Sequence, residues 1–273
     1  ELTFTSAADA DIKRENANID ADTSMGTMLK YGSEGANYFV DNYILPKDIA
    51  AAHINGDIHI HDKDYYMLTE TCCQIDLVKL FHDGFSTGHG FIRQPKSIAS
   101  YAALACIAIQ ANQNEMHGGQ SVPNFDYAMA EGVACTFRKE YYDAVQRYFW
   151  LEYDCENVLG EAFRSALKDA MPDRINMSNI DDHEELLVQW LLETGEQWLG
   201  KTPTEEEIRR CHKTSIRIAM KETDQATYQA MESLIHNLNT MNSRAGAQVP
   251  FSSINYGTCT SPEARMAMKN LLK

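Results

Sequence analysis

Positive charge is scarce in this chain: 24 Lys and Arg stand against 39 Asp and Glu, for a formal net charge of -15. That deficit excludes a groove for a phosphate polymer, which would be repelled at long range, while a helix end or local basic pocket can still hold a small anion. Long apolar runs are also missing. The longest, around Tyr101–Ile109, falls far short of the roughly 20 residues needed to cross a bilayer, so no membrane partner is expected. The seven cysteines have no regular spacing and follow no signal-like segment. This excludes a disulfide framework and points to reduced thiols in a cytoplasmic protein. The glycine-rich passage Asp83–Gly90 lacks the lysine of a P-loop and the spacing of a dinucleotide fingerprint, leaving phosphate cradling and plain connection both open.

What is present is enough for a sizeable core: 273 residues, 44% of them hydrophobic, allow one large domain or two smaller ones. The chain is organised around Gly56–Cys73. There Ile58 and Ile60 alternate with His59 and His61 at period two, the pattern of a half-buried strand over 57–62. Two imidazoles, the carboxylates Asp57, Asp62 and Asp64, and the neighbouring thiols Cys72 and Cys73 admit three readings: metal binding, thiol chemistry, or a hydrogen-bonded polar pocket. Adjacent residues of an extended strand point to opposite faces. Cys72 and Cys73 therefore cannot easily hold one ion or close a relaxed disulfide.

Around this stretch the pattern is helical. A polar leader arm through Lys13–Glu15 precedes helical segments in 22–45 that Gly32 and Gly35 are expected to interrupt, then a helix 46–55 opened by Pro46 and closed by Gly56. Residues 97–116 read as a buried helix, apolar nearly all round and stopped by Gly118-Gly119, with an amide-rich last turn of Gln110, Asn112, Gln113 and Asn114. Scaffold helices are expected over 125–149, 163–171, 181–199, 205–221 and 224–241, with Thr202-Pro203-Thr204-Glu205 as a cap. A strand over 248–256 and a helix begun by Ser261-Pro262-Glu263 close the chain. That helix reaches Lys273 with no stop signal, and a fragment is expected.

The stretches Glu15–Asp20, Gly56–Asp62, Thr71–Gln74, Gly84–Gly90, Gln110–Gln120 and Arg244–Thr258 together resemble the catalytic subunit of the anaerobic (class III, glycyl-radical) ribonucleoside-triphosphate reductases. The resemblance implies an α/β fold, helix-rich, that is half of a ten-stranded α/β barrel, with residues 1–273 as one partial domain. It implies reduction of ribonucleoside triphosphates: a glycyl radical generates a thiyl radical that takes the 3′ hydrogen, a second cysteine helps water leave from C2′, and formate is the reductant. For that second cysteine Cys73 is preferred to Cys72. The resemblance further implies substrate contacts at His59, His61, Ser252 and Asn255, and a deoxynucleotide effector site near Gln94, Lys96 and Gln110. It gives as partners a radical S-adenosylmethionine iron–sulfur activating enzyme and a second copy in a homodimer. No metal is assigned to this chain, because the family's structural zinc is bound elsewhere, and hydrogen bonding becomes the favoured role of the two histidines. The family's Met-Gly-Cys-Arg stretch, its glycyl-radical motif and its paired Cys-x-x-Cys do not occur in the sequence. The chain alone is therefore expected to be inactive. The alternatives are a glycyl-radical enzyme of the pyruvate formate-lyase type and a non-catalytic effector-binding and dimerisation module.

Overall fold

In the computed structural model, which describes residues 23–66, 70–88, 90–172, 174–244 and 247–273, helix α1 (Ser24–Phe39) is capped by the Thr23 hydroxyl, which accepts from the Gly26 N–H. The expected leader arm lies outside the described residues. Helix α1 runs through Gly32 and Gly35 without a break, since a glycine inside a helix costs only about 1 kcal/mol each, and it passes into a π turn at Val40–Ile44. Helix α2 (Lys47–Asn55) follows, with Pro46 at its N-cap and Gly56 in the left-handed region at its end.

The strand expected over 57–62 does not form. Its backbone donors are taken by the end of α2: Asp57 N–H and Ile58 N–H both bond to Ala52 O, and Ile60 N–H bonds to the His53 ring. Asp62 then turns the chain at φ +48° into a 3-10 turn, Lys63–Tyr65. Among the described residues the first strand comes later, as β1 (Cys73–Gln74), followed by α3 (Leu77–Asp83), the antiparallel ribbon β2 (Phe85–Ser86) and β3 (Phe91–Ile92), and helix α4 (Ile98–Asn112). Strand β4 (Gln120–Val122) leads into α5 (Phe125–Tyr153), α6 (Glu161–Ala170), α7 (Glu184–Leu199) and α8 (Glu205–Thr240). The two helices expected over 205–221 and 224–241 are this one helix, because no proline or glycine falls between them. Its capping box joins Thr204 and Glu207. Strand β5 (Ser252–Ile254) occupies only the middle of the expected 248–256, and α9 (Pro262–Leu271) begins behind its Ser261 cap.

The architecture is helix-rich α/β. Strands β1, β4 and β5 form a parallel sheet in the order β1-β4-β5, three strands where a half barrel has five. Two apolar cores share the long helices α5 and α8. One lies beneath the sheet, with Tyr101, Ala105 and Ile109 of α4 against Phe125, Met129 and Val133 of α5, Leu234 of α8 and Ala267 of α9. The other joins Phe137, Tyr141 and Phe149 of α5 to Phe163 of α6, Leu191 of α7 and Ile208 of α8. Seven of the fifteen residues of α4 are buried within the chain, and Ala99, Ala103 and Ile107 are exposed. Among the described residues no helix is long and apolar enough to cross a membrane.

Helices α4 and α5 approach closely at Gly132, where a β-carbon would come within 2.8 Å of the Tyr101 ring. Tyr101 is buried, so its ring would have to be displaced to make room. Gly132→Ala should therefore lose about 1–3 kcal/mol to overpacking, against about 1 kcal/mol regained in helix propensity, and melt at a lower temperature in calorimetry. An unchanged midpoint would mean that the two helices stand further apart.

Candidate functional site

Parallel register brings Cys73, Gln120 and Ser252 side by side, and next to them Gln74, Ser121 and Ser253. Because side chains alternate along a strand, the first row shares a face with Val122 and Ile254, which pack into the core beneath the helices. The second row faces away from the helices, and there Gln74 and Ser253 are exposed. Cys72, one residue before β1, falls on this open face and is itself exposed. A cavity of about 500 Å³ lies against the sheet, lined by Cys72, Cys73, Gln74, Gly119, Gln120, Ser121, Phe251, Ser252 and Ser253. Its volume suits a small organic ligand. Gly118 makes the close approach possible: at φ +102°, a β-carbon there would fall 1.9 Å from Thr71 O and 3.6 Å from the Cys72 sulfur.

The two thiols have different surroundings. Cys73 Sγ accepts from Asn112 Nδ2 at 2.9 Å, and the same amide donates to Gln120 Oε1 at 2.7 Å. Burial pushes the Cys73 thiol above the usual cysteine range; the Asn112 hydrogen bond pulls the other way, and the nearby Glu70 and Cys72 add to the rise. Protonated Cys73 is the favoured form at neutral pH.

Beyond the carboxyl ends of the strands, two carboxylates are committed to structure. The fully buried Asp126 Oδ2 accepts from three successive backbone N–H groups, Gly257, Thr258 and Cys259, at 2.8, 3.0 and 2.8 Å, and Oδ1 accepts from Tyr127 N–H. Burial would raise its pKa, yet these donors outweigh burial and hold it below the usual carboxylate range. Asp76 caps α3 and accepts from Asn124 Nδ2 at 2.7 Å, which with the Lys79 N–H lowers its pKa. At the other end of the sheet, Arg244 donates to the carbonyls of Gln113 and Met116 just past α4, and Gln113 is gripped by Ser243 and Val249 O.

Of the residues expected at the site, Cys72, Cys73 and Ser252 come together at the cavity. Asn255 does not line it; its backbone joins β5 to Val122 O and Phe125 N–H. His59 and His61 are exposed in the segment after α2, their rings 6.1 Å apart, and they line none of this cavity. Instead His61 pairs with Asp62 at 2.7 Å, and Asp62 reaches the buried His117, which stacks on Tyr65 at 3.9 Å. Burial keeps the pKa of His117 below the usual imidazole value despite the Asp62 carboxylate. Lys63 is buried against Asp41, 2.7 Å from both carboxylate oxygens. Among the described residues no three His, Cys, Asp or Glu side chains converge as metal ligands. Gln94 lines a second cavity, of about 580 Å³, with Arg138 and Arg174, while Lys96 is exposed beside the start of α4. Gln110 lies about 18 Å along the helix from Ile98 and does not line this second cavity. Asn112, Gln120, Gly118 and Phe251 were not singled out as site residues from sequence; the only signal was the amide-rich run into Gly-Gly-Gln.

A model of the anaerobic ribonucleoside-triphosphate reductase family matches residues 15–273. Anaerobic ribonucleoside-triphosphate reductase from Escherichia coli (strain K12) is 23% identical over 266 residues, covering 97% of this chain and 28% of that protein. The protein of that name from Enterobacteria phage T4 is 24% identical over 272 residues, covering 96% of this chain and 33% of its own length. The one from Haemophilus influenzae is 28% identical over 134 residues, covering 48% of this chain and 19% of that protein. The chain thus spans about a third or less of the length of these curated relatives.

The Asp126 nest predicts a pH dependence. A carboxylate whose pKa is lowered by folding contributes stability above its unfolded value of about 4, and this contribution is lost as pH falls through the lower folded value. Asp126→Asn should therefore destabilise the chain toward urea at pH 7, by an amount that shrinks below pH about 4. A difference that is the same at both pH values would show that the charge contributes nothing.

Proposed function

The chain belongs to the anaerobic ribonucleoside-triphosphate reductase family, and from that premise we propose that it forms one wall of the site where a ribonucleoside triphosphate is reduced. The open-face cavity receives the ribose, and Cys72 is the thiol beside it. The single observation behind this choice is the alternation at β1. In an α/β barrel the helices lie outside and the strand residues pointing away from them line the interior; Cys72 is on that face, whereas Cys73 points toward α4 and is held by Asn112. The preference between the two cysteines is thereby the reverse of the one drawn from sequence.

In this role the Cys72 S–H donates the proton with which the 2′-hydroxyl leaves as water, and a rigid strand fixes the distance over which the proton moves. Gln74, Ser121 and Ser253 offer amide and hydroxyl partners to the sugar from the same face. Family chemistry would supply the radical that takes the 3′ hydrogen and the formate that provides the electrons; no residue of this chain is assigned to either. The half barrel, the homodimer, the deoxynucleotide effector and the activating enzyme belong to the same proposal. For the effector, Gln94, which shares a cavity with Arg138 and Arg174, remains a candidate together with Lys96 and Gln110. For the dimer, the part of α4 open to a second copy is the stripe Ala99, Ala103 and Ile107.

In the complete enzyme under anoxia, Cys72→Ser should lower deoxynucleotide formation by about a hundredfold to ten-thousandfold, the range of a lost general acid, with substrate binding retained. Cys73→Ser should be far milder. Wild-type turnover in Cys72→Ser would refute the assignment.

A further inference from the structure

Strand β1 is only two residues long, and few backbone bonds hold it: Cys73 N–H to Gly119 O at 3.2 Å, Ile75 N–H to Ser121 O at 2.8 Å and, three residues upstream, His117 N–H to Glu70 O at 2.9 Å. A slip by one residue would exchange the faces, carrying the Cys73 side chain to the open face and that of Cys72 toward the helices. A side chain resists that slip. The Asn112 amide has two N–H bonds, and both are directed across the helix–sheet boundary, one to the Cys73 sulfur and one to Gln120 Oε1. Its two acceptors are register partners on adjacent strands, and Gln120 is 3% exposed. Asn112 is the last residue of α4, where Ala105, Ala108 and Ile109 are buried, so the clamp is mounted on a fixed element. Capping of α4 is not its task, because Gln113 N–H and Asn114 Nδ2 already serve the carbonyls of Ile109 and Gln110.

We propose that Asn112 is a positioning residue for the Cys72 thiol: by gripping Cys73 and Gln120 together on the helix side, it holds β1 in the register that turns Cys72 to the cavity. This rests on the assignment of Cys72 above and adds to it the residue that orients the thiol. Asn112 touches no substrate. It acts through Cys73, whose role is to be held.

The test has a chemical and a kinetic arm. In a Cys72→Ser background, Cys73 is alkylated with iodoacetamide across a pH series and followed by peptide mass spectrometry, with and without Asn112→Ala. The charged or ionisable groups acting on this thiol are Glu70 and residue 72, and the second is constant in the comparison. Without the clamp the strand slips and Cys73 loses the burial that holds its thiol up, so its alkylation should speed up and the pH of half-maximal rate should fall toward that of an ordinary cysteine. No shift, or the rise expected if only the hydrogen bond to the thiolate were lost with Cys73 still held against α4, overturns the proposal. In the complete enzyme with Cys72 intact, Asn112→Ala should lower kcat about tenfold with KM changed less than about twofold. Cys73→Val should match it, Cys73→Ser, which keeps an acceptor for the amide, should lose less, and the Asn112→Ala/Cys73→Val double variant should be no worse than either single variant. Multiplying losses in the double variant would show that the two residues act separately and would overturn the clamp. Failure of the underlying assignment is seen independently, as full turnover in Cys72→Ser.

Discussion

Three parallel strands of two and three residues have too few backbone bonds to orient a side chain by themselves, so helix packing on one face has to decide which way each residue points. Val122 and Ile254 go into the core with α4, α5 and α8, and their rows carry Gln120, Ser252 and Cys73 to the same side. Everything at the cavity follows from that choice. Cys72 is left on the open face, Gly118 lets the Thr71 carbonyl come close, and the amide of Asn112 joins the two strands where they meet the helix.

Electrostatics divide along the same boundary. The chain is strongly acidic, yet the carboxylates nearest the strand ends are bound to donors: Asp126 by three backbone N–H groups of the segment after β5, and Asp76 by Asn124 and the start of α3. Asp126 ties the first turn of α5 to the chain leaving β5, so one buried charge connects the element after β4 to the element after its neighbour. An anion held by successive backbone N–H groups is stable only where nothing competes for them, and here the protein's own carboxylate takes that place.

Much of the fold is legible in the residue pattern. Helix α4 is announced by apolar residues on every side, α8 by its Thr204 cap, α9 by Ser261-Pro262, and the end of α2 by Gly56. The alternating Ile and His of 57–62 mislead because period two is a necessary mark of a strand and not a sufficient one; the Asp57 and Ile58 donors are spent on the end of α2. The site was half legible. Adjacent cysteines must face opposite ways, but which of them faces the helices depends on contacts across the chain, such as Asn112 to Cys73, that no local pattern encodes. The resemblance sets Gln110 beside Gln94 and Lys96, and the structure puts about 18 Å of helix between Gln110 and the start of α4.

The central claim is that β1 turns Cys72 outward and Cys73 toward α4. It is tested most directly by labelling the native protein with a bulky maleimide for short times and locating the adduct by fragmentation of the peptide that contains both cysteines. Cys72 should be modified first, and a ribonucleoside triphosphate bound to the complete enzyme should slow that reaction. Modification of Cys73 ahead of Cys72 would mean that the strand has the opposite register and would contradict the account.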